Sequence, residues 1–157
     1  MPTSSPMRVR IAEDTRGADR TFTGGGRTSR SCRVHERAAA PHLRRDFGSG
    51  AAALRPGVKG FEVDAAARKV VEAGYPEFKH GLGHGLGRAV HDGGTLLGPR
   101  WPCYGRNTEA VVEAANVFTL ELGVPTSAGL VGLEEDVLVT AAGCEFLSSR
   151  QREIVLV

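Results

Sequence analysis

Long apolar runs are missing from this chain. No stretch approaches the roughly 18 residues that a membrane-spanning helix needs, so the sequence offers no membrane segment. The N-terminus has no apolar signal-peptide core, and nothing there points to export. Aromatic residues are scarce at 6%, so a core has to rest on Val, Leu and Ala. The three cysteines, Cys32, Cys103 and Cys144, lack any C-x-x-C spacing. They read as reduced thiols, and the expected compartment is the cytoplasm. A net charge of only +2 gives no argument for a nucleic-acid or anionic-membrane partner.

That charge is unevenly placed. Residues 1–50 carry ten Arg against five acids, and residues 51–157 carry ten basic residues against thirteen acids. The first third is compositionally foreign to the rest, and the chain divides into an N-terminal segment, 1–50, and a second part, 51–157. Residues 7–12 alternate as a short edge strand does, whereas 23–50 have sparse apolar residues without period, so poor order or loose helix is expected there. The arginines lack interleaved aromatics or a recognisable nucleic-acid module. At 157 residues the length corresponds to about one domain.

From Ala51 the pattern sharpens. Residues 51–54 read as the end of a helix stopped by Arg55-Pro56-Gly57. Val63, Ala66, Ala67, Val70 and Val71 follow helical periodicity, which predicts an amphipathic helix over 61–73 with Gly74 just past its end. Residues 93–108 read as a loop rich in Gly, Pro and Asn. Val117–Leu122 alternates as a strand with Glu121 on the face of Val117 and Thr119. Residues 130–140 form a second extended run, with a bend expected at Glu134-Glu135-Asp136, where Glu135 and Asp136 read as a solvated turn. Ala142-Gly143 marks a turn, and 154–157 read as a final strand. One helix followed by strands predicts an α+β domain with a largely antiparallel sheet.

Between helix and strands lies the densest chemistry: three of the five histidines stand between His80 and Asp92, interleaved with Gly81, Gly83, Gly85 and Gly87. Each interior glycine costs a helix about 1 kcal/mol relative to alanine, so an extended ribbon is expected. His80, Leu82, His84 and Leu86 then share one face, and the glycine face permits close approach of another backbone or a ligand. The spacing is not the dinucleotide G-x-G-x-x-G, because position 86 is Leu. Glu121 and Glu134 each interrupt an otherwise apolar strand, and a carboxylate turned toward a core is costly unless paired or bound to metal. Imidazole and carboxylate together form a donor set for Zn, Mn, Fe or Co.

From about Leu54 to Val157 these residues resemble the pita-bread metallopeptidases: aminopeptidase P, prolidase, creatinase and methionine aminopeptidase. The likeness rests on Leu-Arg-Pro-Gly-Val-Lys-Gly with Glu62-Val63-Asp64, on His80-x-x-x-His84-Gly-Leu-Gly, and on Val90-His91-Asp92. It continues in Asn116-Val-Phe-Thr-Leu-Glu121 and in Gly132-Leu-Glu134-Glu135-Asp136-Val-Leu-Val-Thr. The His-x-x-x-His opening is more similar to the Xaa-Pro branch than to methionine aminopeptidase.

The resemblance implies a pita-bread fold, incomplete at its N-terminal side. It also implies one or two divalent ions (Mn, Co or Zn) and an exopeptidase that hydrolyses peptides with proline at the second position through a metal-bound hydroxide. It assigns His84, Glu121 and Glu134 as metal ligands, with Glu121 also moving protons and Glu134 bridging two ions. His80 and His91 match flanking histidines that bind substrate and stabilise the tetrahedral intermediate. A homodimer is among the expected assemblies.

The family's two aspartate ligands fit less well. Gly17-Ala18-Asp19-Arg20-Thr21-Phe22 resembles the second aspartate motif with two residues missing after it, which makes Asp19 the fourth candidate ligand. Eleven positions earlier, where the family has its first aspartate, stands Arg8. The family's helix-rich segment is unrecognisable at 26–50, as a disrupted reading frame would leave it, and no counterpart of the family's separate N-terminal domain is recognised in these 157 residues. The competing expectation is therefore an inactive relic or a metal- or peptide-binding module that keeps the fold.

Overall fold

The computed structural model describes residues 48–71, 78–126 and 129–149. The expectations for 7–12, 23–47, Asp19, Gly74 and 154–157 lie outside them. Residues 48–53 are helical (α1), so this helix is present three residues before the compositional change at Ala51. Gly48-Ser49-Gly50 reads locally as a breaker but is overridden by packing: a Cβ on Gly50 would come within 2.9 Å of Leu82. The Arg-Pro-Gly stop holds. Leu54 N–H makes the last helical bond to Gly50, and Gly57 turns the chain at φ 90°.

The second helix, α2, spans Gly60–Val71. Glu62 accepts a hydrogen bond from the Lys59 backbone N–H at 2.8 Å, the returning half of a capping box. Val63 and Ala67 on its inner face are fully buried, as the periodicity requires. Gly60 is needed for packing, since a Cβ there would lie 2.1 Å from the Leu96 carbonyl oxygen.

Five strands follow: β1 Gly83–Leu86, β2 Leu96–Leu97, β3 Val117–Thr126, β4 Gly129–Val139 and β5 Cys144–Phe146. They form one sheet in the order β2-β1-β3-β4-β5, and every pairing is antiparallel. The expected loop at 93–108 therefore contains a short strand and two single 3-10 turns, Pro102–Tyr104 and Asn107–Glu109. Each is too brief to leave a periodic signal.

The bend expected at 134–136 is absent. β3 and β4 stay in one register from Val117↔Leu138 to Thr126↔Gly129, with Glu121 opposite Glu134. Glu135 is not in a solvated turn either. It lies in β4 opposite Leu120 and is buried, with the Ser148 hydroxyl donating to it. A run of three acids mimics a turn in sequence, but period-2 alternation sends Glu134 and Asp136 to one face and Glu135 to the other.

The core lies on that second face, where Phe118, Leu120, Leu122, Val137 and Val139 meet Leu54, Val63, Ala67, Leu82 and Leu97. Fully burying such side chains contributes roughly 1.5–3 kcal/mol each. Among the described residues no helix is long and apolar enough to cross a membrane.

Candidate metal centre

His84 enters the site from β1. A Cβ on the preceding Gly83 would fall 1.8 Å from the Thr119 carbonyl oxygen, so glycine is what lets β1 lie against β3. This is the close backbone approach expected of the glycine face. The expected pairing of Thr119 and Glu121 on one face of β3 also holds, because the Thr119 hydroxyl donates to Glu121 Oε1 at 2.7 Å. The same hydroxyl accepts the His84 backbone N–H at 3.1 Å. Thr119 thus holds both the backbone behind the histidine and the carboxylate in front of it.

His84 Nε2 lies 3.0 Å from Glu121 Oε1, with the two side chains 15% and 33% exposed. His84 Nδ1 faces the Gly85 carbonyl at 3.2 Å, and a carbonyl only accepts, so Nδ1 carries the proton. Nε2 therefore turns either a second proton or a lone pair toward Glu121. The first arrangement is an ion pair. The second is half of a cation site, with the imidazole oriented from behind as metal-binding histidines are.

Glu134 stands opposite Glu121 in the ladder. Its carboxyl is pushed above the ordinary range by partial loss of water and by the charges of Glu121 and Asp136, with His84 pulling the other way. Like charges directly opposite on a sheet repel, and a bound cation would relieve this crowding. In kind of donor, the side chains present suit a hard or borderline divalent ion. In number they are fewer than a closed site needs: among the described residues, no three or more His, Cys, Asp or Glu side chains are gathered as a metal-binding group.

The flanking histidines separate. The His91 ring lies 3.9 Å from that of His84, centroid to centroid. His80 is packed 5.3 Å from Phe78, and its Nδ1 faces the Gly81 carbonyl at 2.7 Å. Among the described contacts it has none with His84, His91 or Glu121.

Two charged residues without an assigned role, Asp64 of the Glu62-Val63-Asp64 motif and Arg68, adjoin the segment leading into His84. Arg68 and Asp64 are both buried, and Arg68 Nε and Nη2 donate to the two Asp64 carboxylate oxygens at 2.9 Å each. Burial pushes the Asp64 carboxyl upward, against the opposing pull of Arg68 and the Leu82 N–H. Their i,i+4 spacing was a visible signal, but it reads equally well as a solvated helix face.

Residues 18–141 match the profile of metallopeptidase family M24. The chain belongs to this family. It is 35% identical over 105 residues to an Xaa-Pro dipeptidase of Pyrococcus horikoshii, an alignment covering 64% of this chain and 27% of that protein. In structure it is similar to a prolidase from Pyrococcus furiosus, with TM-score 0.64, 28% identity, and 74% and 33% of the two chains covered. It is also similar to an X-Pro aminopeptidase from Thermotoga maritima, with TM-score 0.66, 29% identity, and 84% and 35% covered. The fold is accordingly the pita-bread fold, an antiparallel sheet with packed helices, and the chain spans about a third of those solved structures. Membership of M24 makes it a relative of metal-dependent peptidases.

Proposed function

We propose that this chain carries part of a metal-dependent exopeptidase site for peptides with proline at the second position. The observation that carries the reading is His84 Nε2 at 3.0 Å from Glu121, with Glu134 opposite Glu121 in the ladder. His84, Glu121 and Glu134 would hold the ion, Mn, Co or Zn, and Asp19 is a further ligand candidate. When bound, the ion supplies Lewis acidity and lowers the pKa of water. The protein's own contributions are distinct. The Thr119 hydroxyl fixes the Glu121 carboxylate that passes protons, and the His91 ring, tilted against that of His84, and His80 offer donors to a peptide carbonyl. A cytoplasmic setting agrees with the unpaired cysteine spacing, and a homodimer stays part of the reading.

A second reading, a non-catalytic relic or metal- or peptide-binding module, is favoured by one observation: Arg8 stands where the family spacing calls for the first aspartate. Loss of that ligand damages one of two metal positions far more than the other. The two readings part in one experiment, manganese titration of the purified chain followed by an Xaa-Pro dipeptide hydrolysis assay. Turnover that disappears in Glu121→Gln supports the peptidase. Metal binding without turnover supports the module. Absence of both defeats the proposal.

A further inference from the structure

The segment leading into His84 is held in an unusual way. Residues 78–82 precede β1 and have no neighbouring strand along them among the described pairings. Several of their backbone groups are met instead by side chains. Arg68 Nη1 donates to the Phe78 carbonyl at 2.8 Å, and Nη2 donates to the His80 carbonyl at 2.8 Å. Asp64 Oδ1 accepts the Leu82 N–H at 3.0 Å. Partners at 78, 80 and 82 have the two-residue repeat that a sheet neighbour provides. The Tyr104 hydroxyl accepts the intervening Gly81 N–H at 2.9 Å.

Leu82 then passes the alignment on, since its carbonyl accepts the Glu121 N–H. His84 follows two residues later, its own N–H on Thr119. The guanidinium is itself fixed, with its carbon 3.9 Å from the Phe78 ring centroid and 5.3 Å from that of Trp101.

We propose that Asp64 and Arg68 form a positioning pair that stands in for a sheet strand along residues 78–82 and sets where His84 meets Glu121. The pair touches neither His84 nor Glu121. It acts through the backbone, and its effect on cation binding rests on the function proposed above. Lysine cannot replace Arg68, because an ammonium lacks the planar fork that serves a carboxylate and two carbonyls at once.

The test compares the full-length metal-free chain with Arg68→Lys and with Val63→Ala, a core change on the same helix that removes none of the side-chain hydrogen bonds to 78–82. Amide exchange followed by NMR and manganese affinity are the two readouts. For Arg68→Lys the expected result is exchange about tenfold faster or more at Leu82, His84 and Glu121, with β4 amides little changed, and manganese affinity lower by about tenfold or more, the scale of outer-sphere ligand support. Val63→Ala is expected to lower stability without that local exchange pattern or loss of affinity. Arg68→Lys behaving like Val63→Ala or like the unaltered chain overturns the proposal. Should Arg68→Lys not fold, Asp64→Asn, of the same size, is read by the same two quantities. Should the unaltered chain bind no manganese, the proposed function falls, while the exchange arm still decides the positioning role.

Discussion

Two clusters of charge flank the start of β1, and they are built on opposite rules. Around Arg68 and Asp64, charge is buried and neutralised, the guanidinium and carboxylate meeting each other and three backbone groups. Around Glu121 and Glu134, carboxylates face one another with a single imidazole in contact. The first arrangement is complete as it stands and supports the fold. The second leaves an excess of negative charge on one face of the sheet, which a bound cation would offset.

The largest effect is expected from breaking the complete cluster. Asp64→Ala leaves the Arg68 guanidinium buried without its carboxylate and should cost about 3–5 kcal/mol in urea unfolding. The double replacement Asp64→Leu with Arg68→Met removes both charges and should cost less than Asp64→Ala. A double variant as damaged as the sum of the singles would mean that the two residues act independently.

Thr119→Val probes the junction between His84 and Glu121. It leaves the His84 N–H without an acceptor and takes a donor from Glu121, so a loss of about 1–3 kcal/mol is expected. It should also weaken cation binding, which calorimetry reads directly.

The open cluster should respond in the other direction. Glu134→Gln removes one of two facing carboxylates, so the metal-free protein should gain about 0.2–1 kcal/mol while its affinity for manganese falls. A clear loss of stability in the metal-free variant would mean that Glu134 is structurally paired.

The smallest effect extends the comparison to the thiols. Cys103 is exposed, whereas Cys144 is half-buried with its thiol hydrogen-bonded to the Ala51 carbonyl. Burial pushes the Cys144 thiol above its ordinary value, which lowers its share of reactive thiolate at any pH below that value. Alkylation with mass-spectrometric detection should modify Cys103 first, with Cys144 catching up as pH rises.

The sequence made the open cluster easier to see than the complete one. Glycine spacing indicated close approach of a backbone or a ligand to β1, and alternation put Thr119 and Glu121 on one face of β3. Both are local features with a period of two. The acidic run at 134–136 was misread because charge density resembles a turn, while the uniform β3–β4 register is a property of two strands together. The Asp64–Arg68 pair was hidden for a related reason. Its i,i+4 spacing is local, but its burial depends on residues 78–82 folding back over α2. Helix α1 at 48–50 was obscured by Gly48 and Gly50, of which Gly50 packs against Leu82.

The central claim, that His84 and Glu121 hold a divalent ion, is tested most directly by manganese titration of the full chain beside His84→Ala. The expected result is at most one tight equivalent per chain, absent in His84→Ala. Binding of equal affinity and stoichiometry in His84→Ala would contradict the assignment.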